Sequence, residues 1–153
     1  MLSNDEMLIL AHLRKNARKS LAMIGRELNM PISTVFDKVH KINNSVVLKH
    51  TSLLDFAKLD HGLKINYVIK TTQGKEQQLL SFLAKHHKVN SVQRLKDDNE
   101  FFVEAIFRDM VEFDSFTEAL EEYKARNIQV INIVEELKKE EFLADASHLI
   151  DLS

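Results

Sequence analysis

Side chains able to form directional hydrogen bonds gather on one helical face between residues 33 and 42 of this 153-residue chain. At roughly 100° per residue, Val35, Val39 and Ile42 form an apolar stripe. The opposite side carries Ser33, Thr34, Asp37, His40 and Lys41, with Phe36 and Lys38 at the borders. Hydroxyls, a carboxylate and an ammonium side by side can meet the polar surface of another molecule, although an ordinary solvated helix face would look the same. A second polar group, Asp97, Asp98, Asn99 and Glu100, falls in a turn between two expected strands. It reads as a solvated hairpin tip or as a place for a cation or small ligand. Acids alone make no catalyst, because general acid and base work needs a pocket that separates their pKa values.

Other chemistries find little material. The seven His include His12, His40, His50, His61 and His148, scattered through different expected elements, and adjacent His86 and His87, which point apart on a helix; no metal site is expected. Three Gly, at 25, 62 and 74, write no phosphate-binding loop, and no G-x-S-x-G elbow occurs. The absence of Cys removes disulfides, thiolate ligands and a Cys nucleophile together. No catalytic residue and no cofactor are expected.

The polar helix is positioned by a partner just before it. Ser20 is a suitable N-cap, Leu21, Ile24 and Leu28 recur at helical spacing, and Asn29 can close the segment in a left-handed conformation. Gly25 weakens the helix by about 1 kcal/mol against Ala, so its use is close packing of the second helix. A first helix over 3–15 opens on Ser3 and Glu6 at capping-box spacing, and Met7, Leu8, Leu10, Ala11 and Leu13 can cover the pair. The cluster Arg14, Lys15, Arg18 and Lys19 at its end either complements the helix dipole or meets phosphate. Asn43, Asn44 and Ser45 stop the third helix, and a strand is expected over 46–54.

From Leu63 the pattern becomes strand 63–71, helix 75–87, strand 89–95, strand 101–107, helix 111–126 and strand 128–137. The order βαββαβ specifies a ferredoxin-like sandwich with helices on one side of its sheet, and the other, apolar, face is expected to serve dimerisation. Phe142, Leu143, Ala146, Leu149 and Ile150 then repeat as an amphipathic tail helix over 138–150. It would dock on the chain's own sheet or on a neighbouring subunit.

Composition, 44% hydrophobic and 29% charged with a net charge of −2, is that of a globular protein and not of one that coats nucleic acid. No apolar run approaches the roughly 20 residues of a membrane span, and a cytoplasmic location is expected. Residues 1–62 hold nine Lys or Arg against six Asp or Glu, whereas residues 63–153 hold twelve against seventeen. A modestly basic N-terminal part suits contact with phosphate at one end only.

Over residues 3–136 the chain resembles the Lrp/AsnC (feast/famine) transcription regulators. The resemblance rests on Ser20, Ala22, Ile24 and Leu28 in one helix and on Ser33, Thr34, Val35, Val39, Lys41 and Ile42 in the next. Val47, Leu48, Lys49, Leu54, Asp55 and Lys58 match the exit strand and the segment after it. It implies an α+β protein: a winged-type helix-turn-helix domain with its exit strand over 1–54, a linker over 55–62, a ferredoxin-like (RAM-like) sensing and dimerisation domain over 63–137, and a tail over 138–153 that departs from the family. It further implies a homodimer or higher oligomer, tetramer or octamer, on double-stranded DNA, with Ser20, Ser33, Thr34, Asp37, Lys38 and Lys41 as contacts. The exit strand would pair across the dimer.

The family's amino-acid effector site lies near a Gly-Asp-Tyr-Asp-like turn, which aligns with Asp97, Asp98, Asn99 and Glu100. Asp97 in place of Gly adds a side chain and a negative charge, and Asn99 removes an aromatic wall. A leucine-like effector is not expected there; a cationic amino acid, or none, fits better. Two alternatives share the architecture. Sirohaem decarboxylases resemble it, but residues 90–102 offer Arg94 without His or Tyr. A helix-turn-helix turned into a protein-binding or structural module would explain the modest basicity of a helix with Asp37 beside Lys38 and Lys41.

Overall fold

The computed structural model describes residues 2–97 and 99–147, which fall into two compact units. The helical unit takes residues up to 52 together with the described residues from 137 onward; the sheet unit spans residues 53–136.

In the helical unit, α1 (Asn4–Lys15), α2 (Leu21–Leu28) and α3 (Ile32–Asn43) enclose a core of Ile9, Ile24, Val35 and Ile42, none of which reaches solvent. The capping box forms: Ser3 Oγ accepts from the Glu6 amide at 3.3 Å, and the Glu6 carboxylate accepts from the Ser3 amide at 2.7 Å. These bonds satisfy amides that the first helical turn leaves without intrahelical partners. The strand expected over 46–54 is not one; Val46 belongs to the turn that ends α3, and residues 47–54 have no regular secondary structure. A strand exists only through a partner's backbone, but the Val46 and Val47 amides donate instead to Ile42 O, at 3.0 and 3.3 Å, and among the described residues no strand pairs with the fully exposed Leu48. The tail helix expected over 138–150 is also absent across the described residues. Glu140 and Leu143 take positive φ (54° and 59°), which interrupts helical repetition. Arg14 fixes this path, its guanidinium donating to the carbonyls of Glu140 and Phe142 and to the Glu140 carboxylate, each at 3.1 Å. His148, Leu149 and Ile150 lie outside the described residues.

In the sheet unit a 3₁₀ turn (Phe56–Leu59) precedes β1 (Leu63–Thr71), α4 (Glu76–Lys85), β2 (Val89–Arg94), β3 (Glu100–Phe107), α5 (Met110–Glu122) and β4 (Ala125–Ile133). The antiparallel order β2-β3-β1-β4 is that of a ferredoxin-like sandwich. Alternation along β1 and β3 sends Ile65, Tyr67, Ile69, Phe101, Val103, Ala105 and Phe107 into a core with Leu79 and Leu83 of α4 and Phe116 and Leu120 of α5. The Tyr67 hydroxyl meets Thr117 Oγ1 at 3.2 Å, and burial pushes its pKa up to about 12.

Two expectations change here. The fourth strand starts at Ala125, not at 128, because Lys124 turns the chain at φ 61° immediately after α5. The open sheet face is also less apolar than its pattern suggests. Lys64 Nζ lies 2.8 Å from Glu104 and 3.1 Å from Glu136, and the Lys64 and Glu104 side chains are both largely withdrawn from water. Charged groups withdrawn in this way need pairing, and the pair makes the centre of that face polar.

Candidate nucleic-acid interface

The turn that aims α3 is built from four adjacent features. Ser20 Oγ accepts from the Met23 amide at 3.2 Å and starts α2. Asn29 ends it in the left-handed conformation (φ 52°). The Met30 amide then donates to Gly25 O at 2.7 Å, and a Cβ placed on Gly25 would lie 2.7 Å from the Met30 carbonyl oxygen. Only Gly allows that approach. Pro31 opens α3, whose side chains at 35 and 42 enter the core while 33, 36, 37, 40 and 41 remain exposed.

The outer surface of α3 has two flanks of different chemistry. On the flank toward α1, Lys41 Nζ lies 2.7 Å from Glu6 Oε1, and Lys38 Nζ lies 3.4 Å from Asp5. Glu6 is almost completely buried, yet Lys41 remains more than half exposed. The ammonium of Lys41, with the amide and hydroxyl of Ser3, holds the Glu6 carboxyl down at about 2. The other flank carries Ile32 and Phe36, whose side chains are 57% and 59% exposed. Asp37 and Ser33 lie between the flanks.

The basic cluster at the end of α1 is partly committed. Lys19 Nζ lies 2.5 Å from Glu27 and 3.1 Å from His12 Nδ1, while Arg14 holds Glu140. Burial, with Lys19 beside it, lowers the His12 pKa.

In the sheet unit, the turn between β2 and β3 is closed from within. The Glu100 amide donates to Asp97 O at 3.0 Å, and Leu95 donates to Glu100 O at 2.9 Å. Asn99 is tied to β1, its side-chain amide donating to Thr71 O at 3.0 Å and its carbonyl accepting from Thr71 at 2.9 Å. Lys70 Nζ approaches Asp97 to 4.0 Å. Asp98 lies outside the described residues.

Known proteins share this arrangement. A transcriptional regulator of Neisseria meningitidis, solved as its L-Met complex, superimposes with a TM-score of 0.84 over 91% of this chain and 94% of its own, at 18% identity. Bacillus subtilis LrpC gives 0.82 over 90% and 98% at 14% identity, and Escherichia coli AsnC 0.75 over 91% and 96%, also at 14%. The fold is that of the Lrp/AsnC regulators. Among curated proteins, a helix-turn-helix-type transcriptional regulator of Pyrococcus horikoshii is 24% identical over 135 residues, 88% of this chain and 91% of its own. One from Pyrococcus abyssi is 28% identical over 109 residues, 71% and 69%. No protein-family model matches the chain.

On this Lrp/AsnC frame, α2 and α3 are the helix-turn-helix, and Ser33, Thr34, Asp37, Lys38 and Lys41 all belong to α3, with Ser20 at the start of α2. Reading the sequence missed the partners of the two lysines. Glu6 is visible as a capping residue, and nothing in local spacing announces a bond to a side chain 35 positions away. Phe36, at the border of the polar stripe, is the further residue of this surface, and an exposed aromatic in that place is itself a signal. Among the described residues no helix is long and apolar enough to cross a membrane.

Proposed function

We propose that this chain is a sequence-specific DNA-binding transcription regulator that works as a dimer, with α3 entering the major groove. The observation that carries the reading is the glycine-tight turn from α2 into α3, which presents a polar helix outward from a three-helix core. The Lrp/AsnC fold and the regulator names of its Pyrococcus relatives support it. Ser20 and Lys41 meet phosphate, Lys38 supports them, and Ser33, Thr34 and Asp37 face base edges, Asp37 accepting from a cytosine amino group. The ion pair with Glu6 orients the half-exposed Lys41 toward the helix surface instead of letting it sweep.

The test is fluorescence anisotropy of the full chain on duplexes recovered from a randomised pool, titrated across salt concentrations. Selective binding is expected. Lys41→Ala should weaken all duplexes about equally and make the salt slope shallower by roughly one ion. Asp37→Ala should narrow the gap between selected and random duplexes. A chain that binds every duplex alike, or none, refutes the proposal.

An amino-acid effector at Asp97, Asp98, Asn99 and Glu100 is the finer part of this reading. It is favoured by the L-Met complex of the Neisseria regulator, which shows an amino acid on this fold. The acidic turn here suits a cationic amino acid, and Lys70 beside Asp97 offsets part of its charge. A thermal-shift screen of the amino acids checks it: ligand binding raises the melting temperature by mass action. A shift with lysine or arginine supports this reading, and a shift with leucine alone rejects it.

A further inference from the structure

Phe36 and Ile32 stand one helical turn apart on the flank of α3 that faces away from α1, each more than half exposed. Large apolar side chains on an outward helix flank are costly to hydrate, and the core beneath is already filled by Ile24, Val35 and Ile42. Across the helix, Lys38 and Lys41 are engaged with Asp5 and Glu6. The part of α3 nearest its N-terminus, the end from which recognition helices reach base edges, is therefore apolar on one flank and acidic at its centre. An apolar group in the major groove has one partner of matching chemistry, the C5 methyl group of thymine.

We infer that Phe36, flanked by Ile32, is a specificity-determining residue that reads a thymine methyl group in each half-site. This rests on the proposed placement of α3 in the major groove. Beside Phe36, Asp37 faces the neighbouring base pair, so the favoured half-site joins a thymine to a cytosine on one groove edge.

The experiment uses the full-length protein and the tightest duplex recovered from a randomised pool. Each thymine is replaced in turn by deoxyuridine, which deletes only the C5 methyl. For the natural chain one position per half-site should lose affinity by about fourfold, the value of one methyl group taken out of water. For Phe36→Ala the same replacement should change nothing, while Phe36→Leu retains part of the loss. Because a methyl contact releases no counterions, Phe36→Ala should leave the salt slope unchanged, unlike Lys41→Ala. Circular dichroism should show both Phe36 variants folded, as expected for an exposed position.

If deoxyuridine costs the natural chain and Phe36→Ala the same amount, or costs neither, Phe36 does not read thymine and the inference is overturned while DNA binding stands. If no selected duplex emerges at all, the underlying reading fails with it.

Discussion

Glu6 has two tasks that a sequence shows only one of. It completes the capping box of α1 and pairs with Lys41 of α3, and the pairing holds its carboxyl at about 2 against an ordinary 4.5. A carboxyl harder to protonate in the folded than in the unfolded state adds stability that is complete above about pH 4.5 and lost as pH falls toward 2. Melting of the helical unit followed by circular dichroism should therefore drop between those pH values. In Glu6→Gln, which keeps the acceptor oxygen for Ser3 but loses the charge, the drop should be smaller and stability near neutral pH lower. Identical acid profiles for the two proteins would show the pair to be without consequence. Glu112 at the start of α5 behaves in the same sense, held at about 2 by the Arg108 amide and Lys88, so the comparison must be with the variant and not with theory.

At the scale of elements, regular structure with a local cause was legible and structure with a remote cause was not. Ser20, Asn29 and the Ser3 and Glu6 pair set helix ends through bonds within a few residues, and the boundaries follow them. The strand Leu63–Thr71 carries its burial in alternation and falls where its pattern puts it. The strand expected over 46–54 and the tail helix fail for a shared reason: one needs a backbone partner and the other is held by Arg14, 126 positions away. The candidate site follows the same division. The turn geometry around Gly25 and the place of Phe36 at the border of the polar stripe could be read, but the salt bridges behind α3 could not.

Two predictions belong to these elements. Gly25→Ala forces a methyl against the Met30 carbonyl and should cost about 1–3 kcal/mol. It should also weaken DNA binding by tilting α3, whereas a variant that melts and binds like the natural chain would show that the close approach at Gly25 does not set the direction of α3. Arg14→Ala releases the carbonyls of Glu140 and Phe142, so limited proteolysis should cut faster around 140–143 with little change in melting. Equal cleavage rates would mean that Arg14 does not hold the tail.

For the whole molecule, charge and exposed apolar surface point to different partners. The basic balance is confined to residues 1–62, the part that contains the helix-turn-helix, so that part should be drawn to DNA while the acidic remainder is repelled by it. The apolar side chains of Val46, Leu48, Leu53 and Leu54 are about half exposed or more, in a segment that forms no strand within the described chain. In the proposed dimer a second copy would supply the complementary edge, since a two-fold axis lets the same segment pair with itself. The open sheet face, with Lys64 and Glu104 at its centre, is the less hydrophobic alternative. Leu48→Asp, a change at a fully exposed side chain, should leave each unit folded but shift the sedimentation equilibrium at micromolar concentration from dimer toward monomer. With the dimer lost, preference for paired half-sites about one helical turn apart should go too, leaving weak binding to single half-sites. A Leu48→Asp protein that remains dimeric and keeps its spacing preference would place the seam on the sheet face instead; Phe102 of β3, which alternates with the core-facing Phe101 and Val103 and so lies on that face, would be the decisive next substitution.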